Sequence, residues 1–194
     1  MEIFQELFYR GFNLLELVGF VTGVLYVVLN IRQNIWCWPV GLVSVLAYMV
    51  VFYEVRLYAD VGLQVIYVVL SIYGWYYWLH GGEAHAQAKV VRVTRRQSLT
   101  LALVAALGTA AMGYALANHT DASLPYWDST TTVGSLVGQW LTSKKILENW
   151  LVWIAVDALY VGVYLYKGLY LTTLLFAAYL VLATMGYFAW KKTM

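Results

Sequence analysis

Trp38-Pro-Val-Gly-Leu-Val-Ser-Val-Leu-Ala-Tyr48 returns 112 residues later, without a gap, as Trp150-Leu-Val-Trp-Ile-Ala-Val-Asp-Ala-Leu-Tyr160. The same register lays Val51 on Val163, Leu57-Tyr58 on Leu169-Tyr170, Leu63 on Leu175 and Tyr67 on Tyr179. It also lays Val69-Leu70 on Val181-Leu182, Gly74 on Gly186 and Trp78 on Trp190. Apolar matches are cheap in a greasy sequence; aligned Trp, Tyr and Gly pairs are not. Self-similarity at one fixed period marks a repeated architecture.

Outward from that repeat, the composition sets the solvent. Of 194 residues, 62% are hydrophobic and 11% charged, with a mean hydropathy of +0.69. Soluble domains run at about 45–50% and about 25%. A 22.0 kDa globule has too little interior to hide that much apolar surface. Disorder needs polarity and nucleic-acid binding a basic face; a net charge of +2 supplies neither, so no nucleic-acid partner is expected. The lone Cys37 gives no disulfide framework. The partner is membrane lipid, and the chain reads as an all-α integral membrane protein.

A membrane helix takes roughly 20 mostly apolar residues. Seven segments meet that: 12–30, 36–53, 59–79, 98–117, 127–142, 147–166 and 169–190. Residues 1–11, with Glu2, Glu6 and Arg10, lack the basic start and cleavage site of a secretory signal. The spacing then predicts a first three-helix repeat over 12–79, a loop over 80–97 and a linker helix over 98–117. A loop over 118–126, a second three-helix repeat over 127–190 and a terminus over 191–194 follow. Three spans end opposite their start, so one extra crossing must return the chain before a second unit of the same orientation begins. This 3+1+3 order with two parallel repeats occurs in transporters that bind substrate near the midplane. Ala105, Ala106, Thr109, Ala110 and Gly113 suit the linker to close helix contact. Nine basic residues fall on one side (Arg32, Lys89, Arg92, Arg95, Arg96, Lys144, Lys145, Lys191, Lys192) and three on the other (Arg10, Arg56, Lys167). The positive-inside rule puts the nine, and the C-terminus, in the cytoplasm, and the N-terminus in the periplasm.

The segments Asn34-Ile-Trp-Cys-Trp-Pro-Val-Gly41, Leu57-Tyr-Ala-Asp60 with Gln64, Tyr73-Gly-Trp75, Trp127-Asp-Ser129, Glu148-Asn-Trp-Leu-Val-Trp153 and Lys167-Gly-Leu-Tyr170 resemble the PnuC-type vitamin transporter family. The resemblance covers most of residues 18–191. It implies a SWEET-like fold in a bacterial inner membrane, and uptake of nicotinamide riboside by facilitated diffusion with cytoplasmic phosphorylation as the trap. Thiamine or riboflavin is the alternative cargo within the family. A homo-oligomer, such as a trimer, is compatible with it, and no cofactor is implied. One position departs: where nicotinamide riboside carriers have Asn after the Trp-x-x-Trp pair, this chain has Asp157.

Trp150, Trp153 and Asp157 stand at i, i+3 and i+7 on one helix face, and Tyr160 and Tyr164 extend it. At ~1.5 Å per residue Asp157 lies roughly 15 Å deep, about the middle of a ~30 Å core. A carboxylate there costs ~2.5–3.5 kcal/mol on insertion scales and normally faces a cavity or a partner. No Lys or Arg lies inside a span. Aromatic rings beside an acid suit a desolvated organic cation, such as a pyridinium or thiazolium; the alternative is a protonated carboxyl hydrogen-bonded across a helix pair. Trp150 is shallow enough for an interfacial belt, and Trp153 is too deep for one. Trp150 has its repeat mate in Trp38, whereas Trp153 and Asp157 match Gly41 and Val45, so the recognition groups are confined to one half. Gln64, Tyr67 and Ser71 form a second polar face at i, i+3 and i+7, fit for a ribose or for interhelical hydrogen bonds. Asn34 and Asn149 read as caps or ligands; Trp127, Asp128 and Gln139 join the candidates through the family resemblance. Trp75, Trp78, Trp140 and Trp190 read as belt, Pro39 as a kink in the second span, and Gly41 and Gly62 as points of rocking.

Enzyme motifs are missing from the sequence: there is no His-Glu-x-x-His, Gly-x-Ser-x-Gly or phosphate-binding Gly-x-x-x-x-Gly-Lys. His80, His85 and His119 all fall in loops, so no metal site is expected. A channel, with Thr132-Val133-Gly134 as a weak filter echo, and a ligand-binding receptor are the rival classes; flux without ion current separates them.

Overall fold

The computed structural model describes residues 14–54, 56, 58–120 and 123–194, and the segment expected over 1–11 lies outside them. Among the described residues there are seven long helices: α1 (Leu14–Ile31), α2 (Cys37–Glu54), α3 (Tyr58–His80), α4 (Arg95–His119), α5 (Pro125–Ser143), α6 (Asn149–Tyr166) and α7 (Tyr170–Lys191). The order is three, one, three. Five of them (α1, α2, α4, α6, α7) are long and apolar enough to cross a membrane. The other two, α3 and α5, are long enough but carry buried polar residues, Gln64 and Ser71 on α3 and Ser129, Thr131, Ser135, Gln139 and Thr142 on α5. Outward faces are the reverse: Leu103, Leu107 and Leu174 are largely exposed. Apolar outside and polar inside is the arrangement lipid imposes, and the chain is a multi-pass membrane protein.

The repeat holds bond by bond. Gln33 and Lys145, 112 residues apart, both adopt left-handed backbone (φ 53 and 55), as do Arg56 and Gly168 (φ 62 and 71). Asn34 N–H donates to Leu29 O at 3.0 Å, as Ile146 N–H does to Leu141 O at 3.0 Å. Cys37 N–H donates to Asn34 O, and Asn149 N–H to Ile146 O; Arg56 N–H donates to Tyr53 O, and Gly168 N–H to Leu165 O. Thus α2 and α6 begin and end at equivalent residues.

Two compact units divide within α3, between Trp75 and Tyr76. In the first, α1 packs on α2: Ser44 Oγ donates to Gly19 O at 2.7 Å, and the ring of Tyr48 covers Gly19. The fully buried ring of Trp38 lies over Gly74 of α3, where a methyl group would strike it. In the second unit Trp150 covers Gly186 of α7, and a Cβ there would come within 2.6 Å of the indole. These are the same contact in the two repeats, and glycine is required at both because each indole occupies the space of a side chain. Small residues also bring α4 onto α5, with Tyr126 covering Gly113 and Val133 beside Gly108.

Several expectations are corrected. Pro39 does not kink α2: the helix starts at Cys37, so Pro39 sits in the first turn, where a missing N–H has no intrahelical acceptor. Gly41 is no open hinge, because the Tyr26 ring fills its side, whereas Gly62 has open space around it. Helix α4 begins three residues before its apolar run, since Thr94 and Gln97 form a capping box. Trp78 and Trp190 are not belt residues: both are buried, in edge-to-face contact at 5.7 Å, and Trp190 packs edge-on to Trp150 at 5.4 Å. Trp75 remains exposed and Trp140 half-buried.

The loop before α4 is also more than a tether. Val91 pairs with Ile146 as an isolated parallel bridge, Leu147 N–H donates to Val91 O at 2.9 Å, and Val93 N–H donates to the Glu148 carboxylate at 2.9 Å. Buried Lys145 donates to Ala88 O at 2.9 Å with its Nζ 4.6 Å from the Trp78 ring centroid. This strap fixes the start of α6, the helix that carries the candidate site.

Candidate functional site between α5 and α6

A polar stripe on α5 (Asp128, Thr131, Ser135, Gln139, Thr142) recurs every three or four residues, the spacing of one helix face. All but Asp128 are buried, and Asp128 is half-buried. Trp153, Asp157 and Tyr160 line the corresponding face of α6. Trp153 Nε1 donates to Thr142 Oγ1 at 3.3 Å, and its indole lies over Gly138, whose Cβ would come within 3.0 Å of the ring. Tyr160 lies beside Thr131 and Ser135 of α5. Asp157 is 5% exposed, and no hydrogen bond or ion pair joins it to another described residue. This carboxylate shares a helix face with the Trp153 indole and the Tyr160 phenol, and no cationic side chain among the described residues is paired with it.

Thr142 organises the Lys144–Lys145 end of this face. Its one hydroxyl proton has two acceptors within reach, Gly138 O at 2.9 Å and Asn149 Oδ1 at 3.2 Å, while the oxygen accepts from Trp153; its carbonyl accepts from Trp78 Nε1 at 3.1 Å. Asn149 is fully buried and its amide donates to Ile146 O, so it closes the turn into α6. The Asn34 carboxamide likewise accepts from Trp36 N–H at 3.0 Å at the entry to α2. Trp150 is buried in the tryptophan cluster, with no hydrogen-bond partner for its indole N–H among the described residues.

The remaining candidates are placed as follows. Gln64 and Ser71 are buried on one face of α3 with half-buried Tyr67 between them, in the first unit. Trp38, also in the first unit, is committed to Gly74. Trp127 is half exposed at the start of α5, one residue before Asp128. Sequence reasoning missed Thr142, Ser135, Thr131 and Gly138, although the three-four spacing of polar groups along α5 was the available signal. An apolar groove of about 780 Å³ between α4, α5 and α6, lined by Ala105, Ala106, Val137 and Leu159 among others, uses the opposite face of α6 and includes neither Trp153 nor Asp157.

The profile of the nicotinamide mononucleotide transporter family matches residues 13–192. The riboflavin/roseoflavin transporter RibM of Streptomyces davaonensis is 30% identical over 145 residues, covering 73% of this chain and 68% of its own. The nicotinamide riboside transporter PnuC of Escherichia coli is 27% identical over 191 residues, covering 84% and 80%. The PnuC of Neisseria mucosa is 30% identical over 187 residues, covering 90% and 71%. A crystal structure of the vitamin B3 transporter PnuC aligns with a TM-score of 0.73 at 28% identity, over 99% of this chain and 87% of that one. Seven helices in three-one-three order, a gap-free internal repeat and a profile match across nearly the whole sequence lead to one conclusion: the chain belongs to the nicotinamide mononucleotide transporter family of membrane vitamin transporters.

Proposed function

We propose that this protein carries nicotinamide riboside across a bacterial inner membrane by facilitated diffusion, with cytoplasmic phosphorylation making net uptake one-way. The observation that carries the cargo is Asp157, a buried carboxylate with no hydrogen-bond or ion-pair partner among the described residues, on one face with Trp153 and Tyr160. Nicotinamide riboside brings a pyridinium to that acid and a flat ring to the indole. Thr142 and Gly138 position the indole; Gln139, Ser135 and Thr131 offer hydroxyls and an amide for polar recognition. The nine-to-three distribution of basic residues supports a periplasmic N-terminus and a cytoplasmic C-terminus. A homo-oligomer, such as a trimer, fits this reading, and the protein itself performs no chemistry on its cargo.

Riboflavin is the second reading, favoured by the 30% identity to RibM. Its isoalloxazine is neutral, so Asp157 gives it no electrostatic advantage. Thermal unfolding of the purified protein with nicotinamide riboside, thiamine, riboflavin, nicotinamide and their phosphates separates the cargoes. A ligand at 100 times its Kd stabilises by ~2.7 kcal/mol. Nicotinamide riboside is expected to give the largest shift. A shift with riboflavin and none with nicotinamide riboside would overturn the reading.

A further inference from the structure

Beyond Asp157, toward the Tyr166 end of α6, the aromatic residues fall into two populations. Tyr166 and Tyr170 are 82% and 73% exposed, as belt residues are. Tyr160, Tyr164 and Phe176 are instead half-buried and gathered into one cluster from α6 and α7. Tyr160 and Tyr164 are 5.7 Å apart and inclined by 13°, Tyr164 and Phe176 5.2 Å and 29°, Tyr160 and Phe176 4.4 Å and 37°. Tyr160 lies beside Thr131, Ser135 and Asp128 of α5, and Asp157 stands three residues before it on α6. By helix geometry Tyr164 lies about 10 Å along α6 from Asp157. The first repeat carries only part of this. Tyr48 and Phe52 stack at 5.8 Å and 23°, and Glu16 lies near Tyr48 as Asp128 lies near Tyr160. Gln64, however, stands at the position of Phe176, and Val45 at that of Asp157.

We propose that Tyr160, Tyr164 and Phe176 form an outer docking site for a flat organic cation, occupied before the cation reaches Asp157. Ring faces attract a cation through their quadrupoles, and two carboxylates near Tyr160, Asp128 and Asp157, favour a cation over a neutral ring. The proposal rests on the cargo and orientation given under Proposed function, and its tests separate its failure from theirs.

Right-side-out proteoliposomes loaded with nicotinamide riboside report the half-saturating external concentration for exchange, and the internal one for efflux. Tyr164→Leu with Phe176→Leu is expected to raise the external value about 5- to 10-fold and leave the internal one unchanged, with Tyr164→Phe close to wild type. An unchanged external value in a variant that unfolds at the wild-type temperature, or equal changes on both faces, would overturn the site. A second arm needs no transport. In a Cys37→Ser background, Thr172→Cys, one turn before Phe176, is labelled from outside with an impermeant maleimide. 1-Methylnicotinamide, a cation, is expected to slow labelling at least about 5-fold more than neutral nicotinamide at equal concentration, also when Trp153→Leu disables the inner site. Such protection without nicotinamide riboside transport would support the outer site and refute only the cargo; equal effects of the two compounds would refute the outer site even if transport is normal.

Discussion

Trp153 donates its indole N–H to the hydroxyl of Thr142, 3.3 Å away, and so ties the deepest tryptophan of α6 to α5. The same hydroxyl has Gly138 O and Asn149 Oδ1 as acceptors within reach of its one proton, so one threonine links the indole, the turn into α6 and the polar face of α5. Thr142→Val keeps the shape but removes the partner of a buried N–H and a buried amide oxygen, at a cost of about 1–3 kcal/mol. The variant is expected to unfold at lower temperature and to bind nicotinamide riboside more weakly, with Thr142→Ser restoring both. Wild-type binding by a folded Thr142→Val protein would separate Thr142 from the site.

The two Trp–Gly contacts make a stability prediction that needs no ligand. Gly74→Ala drives a methyl group into Trp38, and Gly186→Ala drives one into Trp150. Each is expected to destabilise by about 1–3 kcal/mol. Gly162→Ala, on α6 with open space around it, is the control and should change stability by no more than about 1 kcal/mol, toward greater stability. Thermal unfolding in detergent checks all three.

How much of this was legible in the sequence follows from the kind of contact involved. The helices and the repeat were, because an offset of 112 is a property of the chain itself and governs even the left-handed turns at Gln33 and Lys145. Helix ends drifted where a polar cap, Thr94 with Gln97, extends a helix past its apolar run. Depth counting assigned Trp78 and Trp190 to the membrane surface, since a helix end looks interfacial until another helix covers it; here their rings cover each other. The strap from Val91 to Ile146 joins residues 55 apart through backbone groups, which leave no side-chain pattern to read. Within the site, Trp153 and Asp157 stood out as costly groups at depth, whereas Thr142 and Ser135 were hidden among the ordinary polar residues of α5.

Topology is tested by single cysteines in a Cys37→Ser protein. Ser123→Cys, between α4 and α5, is expected to react with an impermeant maleimide added outside cells, and Gln87→Cys, before α4, only after lysis. Both positions are exposed. The reverse pattern would invert the proposed orientation.

Energetics of transport distinguish a facilitator from a pump. Proteoliposomes loaded with unlabelled nicotinamide riboside are expected to exchange it for labelled substrate without ATP, sodium or a pH gradient, and to show no ion current in a planar bilayer. Concentrative uptake driven by a proton gradient alone would contradict facilitated diffusion.

Asp157 is the central claim, and Asp157→Asn tests it most directly, because it removes the charge and keeps the shape. The measurement is the Kd of wild type and variant for nicotinamide riboside and for its reduced, uncharged dihydropyridine form. Loss of at least about 10-fold for the cation, with little change for the neutral form, is predicted. Trp36→Leu, at an exposed position, serves as the control and should leave both unchanged. A folded Asp157→Asn protein that binds the cation with wild-type affinity would contradict the account and shift attention to Gln64, Tyr67 and Ser71.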